Sequence, residues 1–442
     1  MFSTLANRTY RNLFLAQVIA LIGTGLATVA LGLLAYDIAG ADGGAVLGTA
    51  MAIKMVAYIG VAPVVGAYAA RLPRRAFLVT MDVVRALVAL ALPFVDQVWQ
   101  VYLLIFVLQS ASAGFTPTFQ ATIPDVLPDE KDYTRALSLS RLAYDLESLV
   151  SPMLAAALLT VVSFHWLFSG TAIGFAVSAL LVLITTLPRA SAAPLTGGIY
   201  DRTTRGIRVY LRTPRLRGLL AITLAAAAAS AMIIVNTVVL VRVGLGLGQR
   251  EVAITLAAFG GGSMLAALAL PRVIERFADR AVMVAAATLL TVVLAGLALS
   301  WPLNDRPLYW YGVLAGWAVL GVAYSASVTP SGRLLKRSSN ADGRPSLFAA
   351  QFALSHVCWL VAYPLAGQIG ARAGMGAAFG AAAGLALLGT VLALVVWPVS
   401  DTEVVEHRHD DLAPDHPHLL EGHPRGRAVH GFVIDELHPR WP

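Results

Sequence analysis

Long apolar runs dominate this chain of 442 residues and are separated by short segments rich in charge, glycine and proline. About 20 apolar residues in a helix span the hydrocarbon core of a bilayer. Only 13% of the residues are charged, which excludes a soluble domain, because such domains carry about 25%. The sequence therefore predicts an all-α membrane protein with twelve transmembrane helices. The runs cover residues 13–36, 45–70, 76–95, 98–121, 137–162, 166–187, 218–241, 252–271, 281–300, 309–329, 346–369 and 376–397.

Lysine and arginine are concentrated in alternate connections between these runs. With the amino terminus inside, the inner segments before the last run carry 22 of them and the outer connections carry four. Cytoplasmic loops carry the excess of basic residues in membrane proteins, so both termini are predicted to be cytoplasmic. The net charge of +7 thus reflects orientation in a lipid bilayer, and no nucleic-acid partner is predicted.

The chain divides into two similar halves. RTYRNLF at Arg8 resembles RTPRLRGLL at Arg212, and RLPRRA from Arg71 aligns with RFADRA from Arg276. Parallel repeats of this kind are typical of transporters. The predicted organisation is an N-terminal six-helix half (1–187), a basic cytoplasmic linker (188–217), a C-terminal six-helix half (218–397) and a disordered acidic, histidine-rich tail (398–442).

Ionisable residues inside apolar spans are costly and are therefore candidates for function. Asp82 and Arg85 are three residues apart and can pair on one helix face. Lys54 lies in the middle of the second span, so we expect it to face the central cavity or a carboxylate. His356 in the eleventh span is the histidine expected in the transport core, in the half opposite the main carboxylates.

The fifth span contains the sequence RLAYDLESLVSP. Arg141 and Asp145 are four residues apart and are expected to pair, which leaves Glu147 on a different face. Glu147 lies about 15 Å from the inner end of its predicted span at 1.5 Å per residue. A carboxyl group at this depth can load and release a proton as access changes. Glu147 is therefore the main candidate for proton or cation coupling.

The tail contains seven of the nine histidines, together with nine acidic residues. Imidazoles near carboxylates suit nickel, cobalt, copper or zinc ions, and a solvated polar tail is the alternative interpretation. The candidate metal ligands are His407, His409, His416, His418, His423, His430 and His438.

The sequence offers little for enzymatic or ATP-driven chemistry. GGGS at Gly260 lacks the lysine of a P-loop, so an ion or substrate gradient is the expected energy source. The single cysteine, Cys358, lies in an apolar run, which excludes a cysteine-ligated cluster. We expect no catalytic residues and no cofactor.

Twelve spans, the inner loop GAYAARLPRR and the pair SP at Ser151 resemble the major facilitator superfamily. Ala70 stands where the loop signature of that family usually has aspartate. The matching loop positions, which the resemblance identifies as a gating loop, are Gly66, Arg71, Arg74 and Arg75.

Two further stretches, FTPTFQATIPDVLP and GIRVYLRTPRLRGLL, resemble the branch that includes the enterobactin exporter. The first five spans and the tail are similar to its nickel-resistance exporters. This resemblance implies a monomeric, proton-coupled exporter of nickel or cobalt in a bacterial-type inner membrane. Tail histidines would collect the ion, and protons would return on Glu147 or Asp145.

Two alternatives remain at this point. A siderophore or amphipathic drug could be the exported substrate, in which case the apolar cavity, Arg85 and Lys54 would matter more than the tail. A membrane sensor that binds metal with its tail and transports nothing is the more remote alternative.

Overall fold

A computed structural model describes residues 2–39, 43–69, 72–188, 198–303, 308–400, 404–408, 427–434, 438 and 441. Helices make up nearly all of this part of the chain. In chain order they are α1 (Arg8–Ala39), α2 (Gly43–Ala69), α3 (Arg74–Ala91), α4 (Val98–Val126), α5 (Glu130–Leu158), α6 (His165–Leu183), α7 (Ile199–Arg212), α8 (Pro214–Val239), α9 (Gln249–Ile274), α10 (Asp279–Ser300), α11 (Tyr309–Val328), α12 (Ser331–Arg337) and α13 (Arg344–Val396).

The predicted class, a helical multi-pass membrane protein, is confirmed. Among the described residues, ten helices are long and apolar enough to cross a bilayer. Helix α13 contains the runs predicted at 346–369 and 376–397, which meet at Gly374, where φ is 85°. The run predicted at 137–162 forms α5, which is 29 residues long but carries too much charge to belong to the ten.

Several helices extend beyond the apolar runs from which they were predicted. Helix α4 continues to Val126 and contains Pro117 and Pro124, whereas its run was expected to end at residue 121. In a bilayer, helices tolerate proline because neighbouring groups satisfy the freed backbone atoms. Helix α5 begins early because Asp129 caps it, accepting a hydrogen bond of 2.9 Å from the Asp132 amide. Such a cap satisfies one of the free amides at a helix start.

The helices pack as two groups, α1–α6 and α8–α13. In the first group α1 packs on α5 and α6, and α2 packs on α4; in the second, α13 packs on α8 and α10, and α9 packs on α11. Buried residues form one large core around Trp317 and Phe379 and separate cores around Tyr10 and Phe168. The groups meet where α2 contacts α13 and α5 contacts α9.

Two segments outside the spans have regular structure. Helix α7 lies within the predicted linker and contacts α2 and α13. In the tail, β1 (Val404–Arg408) pairs antiparallel with β2 (Arg427–Gly431). The tail was expected to be disordered, so this ribbon is a difference from the sequence prediction. Each strand has only five residues, which is too few for an alternating pattern of apolar and polar residues to stand out in the sequence.

Close packing of α9 on α11 depends on Gly321. A Cβ atom at this position would overlap the carbonyl oxygen of Phe259 and lie 2.9 Å from the Ser263 amide nitrogen. Both obstacles are backbone atoms, which cannot move aside as the end of a flexible side chain can. Small residues are used in this way where membrane helices approach closely.

We expect Gly321→Ala to destabilise the C-terminal half by about 1–3 kcal/mol, the usual cost of overpacking. Thermal unfolding of the detergent-solubilised protein measures the effect. Gly312→Ala on the same helix is the control, because nothing lies within 4 Å of a Cβ atom there. Equal melting temperatures for the two variants would show that this contact is not tight.

Candidate functional site

Charged side chains join the two helix groups at one end of the bundle. Asp125 at the end of α4 pairs with Arg74 of α3 through one oxygen and with Arg344 of α13 through the other. Arg74 is 5% exposed. Each carboxylate oxygen of Asp125 thus has its own guanidinium partner. Because Arg74 belongs to the N-terminal half and Arg344 to the C-terminal half, Asp125 links the two halves. We call this end the basic face and define it by Arg74, Asp125, Arg333, Arg337 and Arg344.

A second ionic cluster lies on the same face and is centred on Arg333 of α12. Its guanidinium contacts Glu130 at 2.5 Å and donates to Thr134 at 2.5 Å, both on α5. On its other side Arg333 pairs with Asp279 of α10 at 3.1 Å, and Arg337 also reaches Asp279, at 3.0 Å. Arg333 thus connects the two halves a second time.

Two further contacts hold the halves together at the basic face. Lys336 Nζ donates to the Pro128 carbonyl at 2.7 Å and lies 5.2 Å from the centre of the Tyr133 ring. Gly66 of α2 packs against Ala349, and a Cβ atom there would approach the Pro345 carbonyl to 3.3 Å. The basic face is therefore closed in this structure.

The residues of the predicted gating loop have different surroundings. Gly66 is buried against α13, and Arg74 is buried in its pair with Asp125. Arg75 is exposed. Arg71 lies outside the described residues. The structure brings two of the four predicted loop residues to the contact between halves, and it adds Asp125, which the sequence analysis did not select.

Further into the bundle, Asp145 and Arg141 pair along α5, which confirms the predicted pairing. Ser263 of α9 donates to Asp145 at 2.6 Å and accepts from Arg141 Nε at 3.2 Å. The Arg141 guanidinium carbon also lies 4.9 Å from the centre of the Tyr324 ring on α11. This pair therefore joins α5 to the opposite half.

Glu147 lies two residues further along α5 and faces different neighbours. A Cβ atom at Gly25 of α1 would come within 2.8 Å of Glu147 Oε1, so α1 passes directly beside the carboxylate. Ser151, one turn on, has a buried hydroxyl without a hydrogen-bond partner among the described residues. Lys54 of α2 interacts electrostatically with Glu147. Glu147 and Lys54 are both partly exposed.

His356 of α13 lies across the contact from Lys54 and interacts with its charge. Its ring is 4.6 Å from Tyr58 of α2, 4.4 Å from Phe352 and 5.8 Å from Trp359. Nδ1 is 2.6 Å from the Phe352 carbonyl oxygen. His356 thus contacts aromatic rings from both halves.

Asp82 and Arg85 pair as predicted, but both lie inside the N-terminal half. Asp82 accepts from Ser178 of α6 at 2.7 Å, and the Arg85 guanidinium lies 4.1 Å from the Phe115 ring centre and 4.5 Å from that of Phe175. These contacts join α3, α4 and α6. The arrangement is that of a clamp within one half.

The predicted metal ligands of the tail are only partly described. His407 and His430 lie on β1 and β2. His438 is 4% exposed, with its ring 4.9 Å from that of Phe432. Among the side chains that the structure describes, no three His, Cys, Asp or Glu residues come close enough to hold a metal ion. The remaining candidates, His409, His416, His418 and His423, lie outside the described residues.

Sequence reasoning missed the aromatic residues beside the candidate site. Tyr58 is four residues after Lys54 on α2, and Tyr144 is three before Glu147 on α5, so helical spacing places each near a charged candidate. Tyr144 lies close to Gln17 and interacts electrostatically with Glu147. This spacing is the signal that could have identified both tyrosines.

The chain matches the family model of the Major Facilitator Superfamily over residues 13–315 and 219–428. It therefore belongs to this superfamily of membrane transporters, and its described helices are those of a multi-pass membrane protein.

Two curated relatives match shorter stretches of the chain. An uncharacterised MFS-type transporter, YfiS of Bacillus subtilis, is 28% identical over 127 residues, which are 29% of this chain and 30% of that protein. Macrolide efflux protein A of Enterococcus faecalis is 25% identical over 153 residues, which are 32% and 47% of the two chains. The chain thus spans less than half the length of either relative.

Solved structures share the fold over nearly their whole length. The human organic anion transporter MFSD10 (TETRAN) has a TM-score of 0.73 at 15% identity, with 87% of this chain and 99% of that chain covered. A bacterial homologue of the iron transporter ferroportin, in an outward-facing state, has a TM-score of 0.74 at 13% identity, with 88% and 98% covered. The fucose:proton symporter of E. coli has a TM-score of 0.69 at 12% identity, with 88% of this chain and 98% of that chain covered.

We expect Asp125→Asn to open the basic face, because an amide cannot neutralise two guanidinium groups. Spin labels at the exposed residues Lys131 and Asn340, one in each half, measure the separation by double electron–electron resonance. The population with a longer distance should increase.

Asp132→Asn is the matched control, since its pair with Arg135 is partly exposed and lies within one half. An unchanged distance distribution in the Asp125 variant would show that the shared carboxylate does not hold the basic face closed.

Proposed function

We propose that this transporter is a secondary exporter that works by alternating access across twelve spans, with the basic face and both termini in the cytoplasm. The excess of lysine and arginine on one side of the predicted topology supports this orientation. The ion pairs across the basic face then correspond to the state closed to the cytoplasm.

Glu147 is the proposed coupling residue, and its environment is the observation that carries the proposal. Asp82 and Asp145 each have an arginine and a serine partner in fixed arrangements. Glu147 is partly exposed, faces Lys54, and accepts no hydrogen bond from the side chains that the structure describes. A carboxylate without a fixed partner is free to exchange bound cations.

The exchange follows from the position of Glu147. When the halves rock, its carboxyl group is exposed first to one side of the membrane and then to the other. A proton taken up outside is released inside, and a cationic substrate can occupy the carboxylate for the outward step. One proton is carried for each cycle in which the Glu147 carboxyl group is loaded and unloaded, while Asp145 stays in its structural pair with Arg141.

For the substrate, we propose a divalent transition-metal ion, nickel or cobalt. Glu147 and His356 supply oxygen and nitrogen donors from opposite halves, the donor types that these ions accept. The histidines of the tail are further donors at the proposed cytoplasmic side, where they would raise the local concentration of the ion.

An amphipathic organic molecule is the second candidate. Tyr58, Phe352 and Trp359 provide aromatic surface beside Lys54 and Glu147, and apolar pockets with a few polar groups are typical of organic ligand sites. The similarity to macrolide efflux protein A favours the same class.

We expect Glu147→Gln to abolish proton-coupled export, because glutamine cannot exchange a proton. Reconstituted protein should then acidify or alkalise the vesicle lumen no faster than empty liposomes when substrate is added. A pH-sensitive dye in the lumen measures this flux. Glu275→Gln, at an exposed position between α9 and α10, is the control and should retain full exchange. Wild-type coupling in the Glu147 variant would disprove the proposed role.

Substrate classes are separated by two sets of substitutions measured in one host. The first variant carries asparagine at His407, His409, His416, His418 and His423. The second carries alanine at Tyr58 and Trp359. If a metal ion is the substrate, wild-type expression should lower cell-associated nickel or cobalt, and the first variant should do so less well.

If an amphipathic compound is the substrate, wild-type expression should instead lower accumulation of a macrolide or a hydrophobic dye. The second variant should then lose this protection while the first retains it. Unchanged accumulation of nickel, cobalt and zinc in cells that express the intact chain would rule out the metal-exporter proposal.

A further inference from the structure

The carboxy-terminal end of the chain returns to the basic face. After α13, the Trp397 side chain is 1% exposed, and its carbonyl oxygen accepts from Arg280 Nε at 3.0 Å. This contact holds the start of the tail against α10. The ribbon of β1 and β2 follows, and Phe432 comes directly after it.

Residues just after the ribbon pack against two separate parts of the transporter. Val433 and Ile434 line a small cavity together with Arg205 and Val209 of α7. The rest of the lining comes from the connection between α12 and α13 and from the first turn of α13: Ser338, Ser339, Asn340, Gly343, Ser346 and Leu347. Ile434 is 6% exposed and Phe432 is 3% exposed. Both apolar side chains are therefore buried, and Ile434 lies against the body of the protein.

Aromatic contacts extend this docking to α8. The Phe432 ring lies 4.9 Å from His438 and 5.0 Å from Trp441. The Trp441 ring centre is 4.8 Å from the guanidinium carbon of Arg215, a residue only 1% exposed. Cation–π contacts of this kind strengthen when water is excluded. We call residues 432–434, 438 and 441 the strap.

The strap lies beside the contacts that close the basic face. Its cavity includes Ser346 and Leu347, which lie two and three residues after Arg344, the partner of Asp125. Its other wall is α7, which also contacts α2 in the N-terminal half. The cavity thus exists only while α7 and the start of α13 keep their present arrangement.

Charge also favours docking. The tail from residue 398 has a net charge of −5, while the rest of the chain has +12. Opposite charges bring the tail towards the basic face, and the apolar side chains then determine its position.

We propose that the strap is an intramolecular inhibitor that binds the closed basic face and slows its opening. In the closed arrangement strap residues bury apolar surface in a cavity between α7 and the start of α13. A movement of these helices that opens the basic face would remove the cavity, so binding of the strap stabilises the closed state over the open one. Release of the strap is therefore expected to increase the open population and the rate of transport. The transport part of this inference rests on the proposed export function, whereas the docking part does not.

The test uses full-length protein with Phe432→Ser and Trp441→Ser, which keeps the ribbon and all tail histidines. Hydrogen–deuterium exchange should increase in peptides that contain residues 205–210 and 338–343. Labels at Lys131 and Asn340 should show a larger open population, and substrate flux in proteoliposomes should rise several-fold. Val399→Ser is the control, since Val399 is an exposed apolar residue of the tail outside the strap.

Each contrary result has a definite meaning. No change in exchange at residues 205–210 and 338–343 would overturn docking of the strap. Increased exchange with an unchanged distance between the labels would overturn its inhibitory effect. If the distances change while neither metal nor organic compound is transported, the strap is supported and the export function is not.

Discussion

The lack of water in the bilayer core is the constraint on which this structure depends. Every backbone amide and carbonyl must be satisfied within the spanning segment, so the chain crosses as helices. The same constraint acts on side chains, because a charge without a partner is costly there. Asp82 and Asp145 consequently have arginine and serine partners, and these pairs determine which helices lie side by side.

The effect of each ion pair depends on whether it lies within one half or joins the two halves. Asp82 joins helices of one half, so it stabilises that half in any state of the transporter. Asp125 and Arg333 join opposite halves at the basic face, so they stabilise only the closed arrangement there. Ala70 replaces the usual acid of the loop, yet Arg74 still has a carboxylate partner, supplied by α4. A buried arginine in this position needs a counter-charge from some neighbouring helix.

Among the charged candidates, Glu147 and Lys54 are the least constrained. They interact across α5 and α2 while both remain partly exposed. The partners of His356 are mainly aromatic rings. Rigid pairs hold the helices together, whereas Glu147 forms no such pair with the side chains that the structure describes. The strap adds a further contact, which links the end of the chain to the arrangement of the basic face.

Local sequence determined the helical class, the approximate positions of the spans, and the pairs Asp82–Arg85 and Arg141–Asp145. These features depend on runs of apolar residues and on separations of three or four residues along one helix. The contacts of Asp125 with Arg344 and of Asp145 with Ser263, the clamp role of Asp82 and the docking of Phe432 and Trp441 were decided by the tertiary structure. Each joins residues roughly a hundred or more positions apart, or packs chain ends on distant helices, and the docking of separately packed helix groups leaves no periodic signal in the sequence.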